Sequence, residues 1–213
     1  MKEIIPAILV DNFSDFKKQT EKLAGVFNKI QIDVMDGQFV AGHSFTEIDQ
    51  VKEMGENLSF ELHLMVDHPL IELEKWENIK NIFRIVIHIE SKDDLMNVIN
   101  KIKGRCAQVG LALNPDTSLE KVKPYLDHIS EVLFMTVVPG KQGAKFETKV
   151  VEKIKKFTRI VDHPLCAVDG GINKNNIKEL SNCGVEIFYI GSDLTLAENP
   201  KQEYDELTKL IKQ

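Results

Sequence analysis

Short apolar runs rich in Ile, Val and Leu recur at regular intervals along the chain. Most of these runs lack strict alternation of apolar and polar residues, which is typical of strands covered on both faces. Each run is followed by a longer segment whose apolar residues have helical spacing. The pattern predicts eight strands, over 3–9, 28–33, 58–64, 82–88, 107–112, 130–136, 164–168 and 185–190.

The segments between these strands predict helices with recognisable ends. The segment 14–25 begins with a serine suited to a helix N-cap and ends at Gly25. The segment 114–126 also offers a Thr or Ser cap, but Pro124 is expected to end or kink that helix early. The remaining helical patterns cover 46–55, 69–80, 93–104, 149–161, 174–184 and 199–213.

Eight alternating strand and helix units indicate either a closed parallel barrel or a long doubly wound sheet. A doubly wound sheet of the dinucleotide-binding type would have a GxGxxG turn after its first strand, and the stretch 6–13 contains no glycine. No linker or low-complexity stretch divides the series. The sequence therefore predicts an α/β fold, a single (β/α)8 TIM barrel domain over residues 1–213.

Composition and charge narrow the classes of function. Lys and Arg number 27 and Asp and Glu number 33, so the net charge is −6 and no basic block favours a nucleic-acid partner. The three cysteines lack CxxC spacing, which favours reduced, packed thiols. The N-terminal apolar run stops at Asp11, so neither a signal peptide nor a membrane span is expected. We expect a cytoplasmic protein whose partner is a small molecule, and the sequence leaves open whether it forms a homo-oligomer.

Polar residues lie at the C-terminal ends of several predicted strands, where barrel enzymes place their chemistry. Asp33, His63 and Asp169 offer oxygen and nitrogen ligands suited to zinc, manganese or iron. Two carboxylates facing each other across a pocket also suit proton transfer, because one can remove a proton while the other returns it on the opposite face. For His88, a role in the site and a place in the hydrophobic core are equally good interpretations. The full set is Asp33, His63, His88, Asn114, Thr136 and Asp169.

Glycine-rich turns follow the last three predicted strands. They are PGKQG (139–143), DGGIN (169–173) and GSD (191–193). Small residues let backbone N–H groups approach an anion, and barrels of this kind commonly hold phosphate after strands seven and eight, near a short helix. The turns therefore predict a phosphate site at the same end of the barrel as the polar residues.

Seven stretches together match the pattern of a known family. They are IIPAIL (4–9), IDVMDGQFV (32–40), ELHLMVDHP (61–69), GLALNPDT (110–117), MTVVPGKQG (135–143), VDGGIN (168–173) and IGSD (190–193). Through them the sequence resembles the ribulose-phosphate 3-epimerase family over nearly its whole length. The resemblance implies a (β/α)8 barrel that interconverts ribulose 5-phosphate and xylulose 5-phosphate by inverting carbon 3.

The resemblance also implies an active site. Family members bind a divalent metal with two histidines and two aspartates, and the aspartates serve as acid and base. The aspartates match Asp33 and Asp169, and one histidine matches His63. Pocket-lining methionines match Met35, Met65 and Met135, and phosphate-binding backbone positions match Gly143, Gly170, Gly171, Gly191 and Ser192.

The chain departs from the family pattern in three places. The other metal histidine is Gln31 here, and a neutral amide oxygen is a weaker ligand than imidazole nitrogen. The serine of the first strand is Ala7. The loop after strand six has Lys141, Gln142 and Ala144 where the family usually has aromatic, glycine and glutamine residues. Gln31 is therefore expected to weaken metal binding.

The primary hypothesis is a ketose-phosphate 3-epimerase in which Asp33 and Asp169 transfer protons and a divalent metal on His63 and both aspartates assists. Two alternatives stay open: a catalytically impaired barrel that only binds a sugar phosphate, and an epimerase for a different ketose phosphate. A lyase or decarboxylase on the same barrel is less favoured. Such enzymes usually place a lysine at a strand end, and no predicted strand ends in one.

Overall fold

Eight parallel strands close into a barrel in which each strand pairs with the next and the last pairs with the first. The computed structural model describes residues 2–54, 57–105, 107–139 and 146–212. This architecture confirms the predicted (β/α)8 TIM barrel. The strands are β1 (Glu3–Ile8), β2 (Lys29–Met35), β3 (Ser59–Met65), β4 (Ile82–His88), β5 (Gln108–Leu113), β6 (Glu131–Met135), β7 (Leu165–Asp169) and β8 (Ile187–Ile190).

Helices occupy most of the connections between strands. None of those in the described residues is long and apolar enough to cross a membrane. The connections after β2 and β5 contain 3₁₀ helices, at Ile48–Glu53, Leu119–Lys121 and Lys123–His128. The α-helices are α1 (Phe13–Leu23), α2 (Pro69–Lys75), α3 (Leu95–Lys103), α4 (Lys149–Phe157), α5 (Ile177–Asn182), α6 (Ser192–Thr195) and α7 (Pro200–Ile211).

The two 3₁₀ connections differ from the α-helical patterns predicted over 46–55 and 114–126. In the second, Pro124 lies in the first turn of Lys123–His128, where its missing N–H costs no hydrogen bond. The cap of α1 also differs, because Asn12 rather than Ser14 accepts the N–H of Asp15, at 2.9 Å. The competing local hydrogen bonds of short polar side chains decide such ends.

Residues at alternate positions of each strand point into the barrel, as the two-residue period of a strand requires. On the outer side, a larger apolar cluster packs the strands against the helices. Of the three inward alanines, Ala7 borders a cavity at the C-terminal end of the barrel. The inner apolar layer consists of Ile5, Ala7, Val86, Ala112, Leu133, Met135, Ala167, Ile187 and Tyr189.

A buried ion cluster fills the N-terminal part of the barrel. Arg84 Nη1 donates to Glu61 Oε2 at 3.0 Å and to Glu131 Oε2, and Tyr189 Oη donates to Glu61 Oε2 at 2.8 Å. Burial raises the pKa of Glu61 to about 8, with Glu131 adding to the effect and Arg84 opposing it. One cation thus serves two buried carboxyl groups, and the sequence analysis did not identify this cluster.

Candidate active site

Three predicted site residues meet at the C-terminal end of the barrel. Asp33 and His63 are register partners on β2 and β3, and Asp169 is the last residue of β7. All three are buried, and one ligand atom from each lies within 4.8 Å of the others. His63 Nδ1 is 3.0 Å from Asp33 Oδ1 and 3.4 Å from Asp169 Oδ2. The fold therefore brings together the two carboxylates and the imidazole that the sequence singled out.

Gln31 joins the two carboxylates directly. It lies two residues before Asp33 on β2, so both side chains point into the barrel. Its Nε2 donates to Asp33 Oδ1 and to Asp169 Oδ2, each at 2.9 Å. Its Oε1 is buried and has no hydrogen-bond partner among the described residues. The amide thus uses both N–H groups on the aspartates and leaves an oxygen atom unpaired.

The charges of this cluster are strongly coupled. Burial alone would lower the pKa of His63, but its hydrogen bonds to Asp169 and Asp33 prevail and raise that pKa to about 10. Burial, with the charge of Asp169 acting in the same direction and His63 opposing both, leaves the pKa of Asp33 raised to about 6. The carboxylate pair therefore favours a positive charge between its members.

A cavity of about 320 Å³ opens above this cluster, and Asp33, His63 and Asp169 line it together with Ala7. Two of the predicted methionines, Met65 and Met135, are also part of its wall. Met35 is not among the lining residues; its backbone N–H donates to Ser44 Oγ at 2.9 Å. Further apolar lining comes from Leu9, Val137, Pro139, Phe146 and Ile172.

The predicted phosphate-binding turns border the same cavity. Gly170, Gly171, Gly191 and Ser192 line it, whereas Gly143 and the altered loop positions 141–144 lie outside the described residues. Gly170 and Gly171 have φ of +109° and +62°, a conformation that favours glycine. Outside regular strands, no hydrogen bond in the described parts uses the N–H of Gly170, Gly171 or Ser192. These donors can therefore face an anion.

Thr136, which the sequence analysis placed at a strand end, is hydrogen-bonded to the last residue of β7. Its N–H and Oγ1 both donate to the carbonyl oxygen of Asp169, at 2.7 and 2.9 Å. Asn173 and Asp193 also line the cavity, and the sequence analysis did not assign them to the site. Asp193 belongs to the GSD turn, so its position in that turn was the available indication.

His88 contacts the site from β4. Its Nε2 is 2.9 Å from His63 Nε2, and its Nδ1 is 3.2 Å from Glu90 Oε2. Burial lowers the pKa of His88 to about 4, and the neighbouring His63 adds to this effect while Glu90 opposes it. The sequence left His88 open between a core and a site position. Val86 faces the interior, so the two-residue period of β4 also turns His88 inward.

Comparison with known proteins identifies one family. Residues 3–195 match the family model described as the ribulose-phosphate 3 epimerase family. The chain is similar to ribulose-phosphate 3-epimerase of Helicobacter pylori (strain ATCC 700392 / 26695), at 31% identity over 205 residues, covering 93% of each chain. It is also similar to that of Aquifex aeolicus (strain VF5), at 29% identity over 220 residues, covering 99% of this chain and 97% of the relative.

Solved structures support the fold alone because their sequence identity is low. The 3-keto-L-gulonate-6-phosphate decarboxylase of Vibrio cholerae aligns with a TM-score of 0.75 at 12% identity, covering 100% of this chain and 98% of that one. The 3-hexulose-6-phosphate synthase of Salmonella typhimurium aligns with a TM-score of 0.71 at 13% identity, covering 99% and 98%.

Proposed function

The chain belongs to the ribulose-phosphate 3-epimerase family, and we propose that it inverts carbon 3 of a ketose phosphate, converting ribulose 5-phosphate and xylulose 5-phosphate into each other. One observation carries the proposal: the buried carboxylates of Asp33 and Asp169 are held by the same amide at the base of a cavity. Phosphate binding alone would not require two carboxylates there. Because β1 to β8 close one barrel, we further propose that residues 1–213 act as one domain.

Asp33 and Asp169 carry the proton transfer in this proposal. One carboxylate removes the proton from carbon 3, and the other delivers a proton to the opposite face. Both carboxyl groups line the base of the cavity, where each can reach a proton of a bound substrate. Gln31 keeps both carboxylates in place through its two N–H groups.

The donor set fits the divalent metal that the family implies. Asp33, His63 and Asp169 would hold the ion, because their oxygen and nitrogen atoms are within 4.8 Å of one another and suit zinc, manganese or iron. The buried Oε1 of Gln31 has no partner among the described residues, and it would join the ligand set only if the amide turned and gave up its bonds to both carboxylates. When bound, such an ion would supply positive charge for the substrate oxygen that becomes negative as carbon 3 loses its proton.

The remaining pocket residues bind and enclose the substrate in this scheme. The N–H groups of Gly170, Gly171, Gly191 and Ser192 hold the phosphate, since backbone donors at glycine turns suit an anion. Met65 and Met135 give the reacting end an uncharged wall, which excludes water without competing for charge. Gly143 completes the proposed phosphate set.

The test compares the steady-state rate of ribulose 5-phosphate epimerisation in wild type and Asp169→Asn, with added divalent metal. Loss of one member of an acid–base pair typically costs about 10²–10⁴ in rate, so the variant should fall by that factor. Asp116→Asn is the matched control, because Asp116 is an exposed carboxylate paired with Lys149 outside the site. A wild-type rate in Asp169→Asn would refute the two-carboxylate mechanism.

A catalytically impaired sugar-phosphate-binding barrel is the second candidate. The observation that favours it is that Gln31, which contacts the carboxylates, occupies the family's histidine position, and that its register partner Ala7 occupies the serine position. This candidate predicts that ribulose 5-phosphate binds without turnover at saturating metal. Recovery of turnover in a Gln31→His, Ala7→Ser double variant would support it. A panel of ketose phosphates separates both candidates from an epimerase with another substrate.

A further inference from the structure

We propose that His88 and Glu90 are positioning residues that hold the imidazole of His63 with its Nδ1 directed at Asp33 and Asp169. The inference rests on the proposed function, because it treats His63 as a metal ligand. It concerns two residues outside the proposed ligand set, which form a series of contacts from Glu90 through His88 to His63. Neither residue lines the cavity.

The hydrogen-bond geometry permits one arrangement of protons along this series of contacts. Glu90 is a carboxylate acceptor, so His88 must donate to it from Nδ1 across 3.2 Å. His88 is fully buried and packs on Phe39 with ring centroids 4.7 Å apart, which disfavours a charged ring. A neutral His88 with its proton on Nδ1 presents a lone pair at Nε2.

That lone pair determines the orientation of His63. The two Nε2 atoms are 2.9 Å apart, so the proton between them belongs to His63 and is donated to His88. The other ring nitrogen, Nδ1, then faces Asp33 and Asp169 at 3.0 and 3.4 Å. A ring flipped by 180° would lose both sets of contacts. By the same reasoning the two carboxylates hold a proton on Nδ1, so an ion would replace that proton on a ring whose orientation and Nε2 proton His88 has already fixed.

Glu90, the last member of this series of contacts, is itself held by two further hydrogen bonds. Its Oε1 accepts the N–H of Asn114 at 2.9 Å and the hydroxyl of Thr117. Both partners follow β5, so the loop after β5 holds the carboxylate that orients His88, which ends β4. Partners that accept the second ring N–H of a metal-binding histidine, as His88 accepts that of His63, fix its tautomer and orientation, and their loss typically lowers metal affinity about 10–100-fold.

The first experiment measures the tautomers by ¹⁵N NMR of the full chain labelled at histidine. The proposal predicts that neutral His88 carries its proton on Nδ1, the less common tautomer in water, in the wild type. Glu90→Gln removes the charge that selects this tautomer, so the Nδ1-protonated fraction of His88 should fall. A role in packing alone would leave the tautomer unchanged. A wild-type His88 with its proton on Nε2 would overturn the proposal.

The second experiment titrates Zn²⁺ alone into wild type, His88→Phe, His88→Gln and Glu90→Gln. His88→Phe removes the acceptor for His63 and should weaken Zn²⁺ binding about 10–100-fold. His88→Gln supplies an amide oxygen as acceptor and should recover part of that loss. The matched control is His68→Gln, because His68 forms a similar contact with Asp93, at 2.9 Å, outside the site. Unchanged Zn²⁺ affinity in both His88→Phe and Glu90→Gln would overturn the proposal.

The two readouts separate this inference from the proposed function. If the wild type binds Zn²⁺ and shows the expected tautomer but does not turn over any ketose phosphate, the positioning role stands and the epimerase function fails. If the wild type epimerises while neither variant changes tautomer or affinity, the function stands and the positioning role fails. His88→Gln and the wild-type spectrum keep the test valid if His88→Phe does not fold.

Discussion

Replacing Gln31 by histidine tests how the amide limits metal binding. In the structure Gln31 Nε2 donates to Asp33 and Asp169 at 2.9 Å each, and hydrogen bonds to charged groups contribute about 1.5–3 kcal/mol apiece. To offer Oε1 to an ion, the amide must turn and give up both bonds. An imidazole at this position offers a ring nitrogen in place of the amide oxygen, which is a better donor to a borderline ion.

The expected size follows from those contacts. If one of the two hydrogen bonds, at the lower end of that range, about 1.5 kcal/mol, appears in the binding free energy, affinity changes about tenfold. Gln31→His should therefore bind Zn²⁺ at least about tenfold more tightly than wild type. Calorimetry with a competing chelator measures this difference, and the epimerase rate should rise at limiting metal and converge at saturating metal.

The control for this comparison is Gln202→His, which adds a histidine at an exposed position of α7. It should leave Zn²⁺ affinity at the site unchanged. Equal affinity of wild type and Gln31→His would refute the reasoning about the amide. Full activity of metal-stripped wild type would refute the metal-dependent mechanism itself.

Two further variants probe the barrel core and the phosphate turn. Arg84→Met leaves the buried carboxyl groups at the N-terminal end without their cation and should cost about 3–5 kcal/mol in urea unfolding. Burial raises the pKa of Glu131, so the folded variant keeps protons that the unfolded chain releases. The free energy of unfolding that Arg84→Met loses should therefore grow as pH rises above the ordinary carboxyl pKa of 4.5. A loss that does not depend on pH would contradict this. Gly170→Ala combines a φ of +109° with a methyl group against Val137, so inorganic phosphate should bind more weakly by titration. Gly25→Ala, where an added methyl meets nothing within 4 Å, should bind phosphate like wild type, and equal binding by both variants would count against the proposed phosphate turn.

The strands were predictable because a parallel strand covered on both faces is an uninterrupted apolar run. The same topology made Asp33, His63 and Asp169 predictable as neighbours, since parallel strands of a barrel end at one rim. The connections after β2 and β5 were less predictable. There, helical spacing is compatible with both α and 3₁₀ turns, and local side-chain contacts select between them.

The contacts of Gln31 and His88 could not be predicted from the sequence, because one partner of each lies far away along the chain. Gln31 reaches Asp169 across 138 positions, and which atom of its amide faces the carboxylates depends on both charges at once. In the sequence, the charged residues Glu61, Arg84 and Glu131 interrupt apolar strands. Each of them lies an even number of residues from an inward-facing residue of its own strand, and this spacing was the available indication that all three point into the barrel.

The most direct test of the central claim follows carbon 3 in deuterium oxide. With metal present, the wild type should exchange the carbon 3 proton for deuterium in both ribulose 5-phosphate and xylulose 5-phosphate. If Asp33 and Asp169 act on opposite faces, each single Asp→Asn variant should fail to invert carbon 3. Each should also exchange the proton of one epimer only, with Asp33→Asn and Asp169→Asn differing in which epimer. Inversion by either variant, exchange of both epimers by one variant, or no exchange by the wild type would contradict the account.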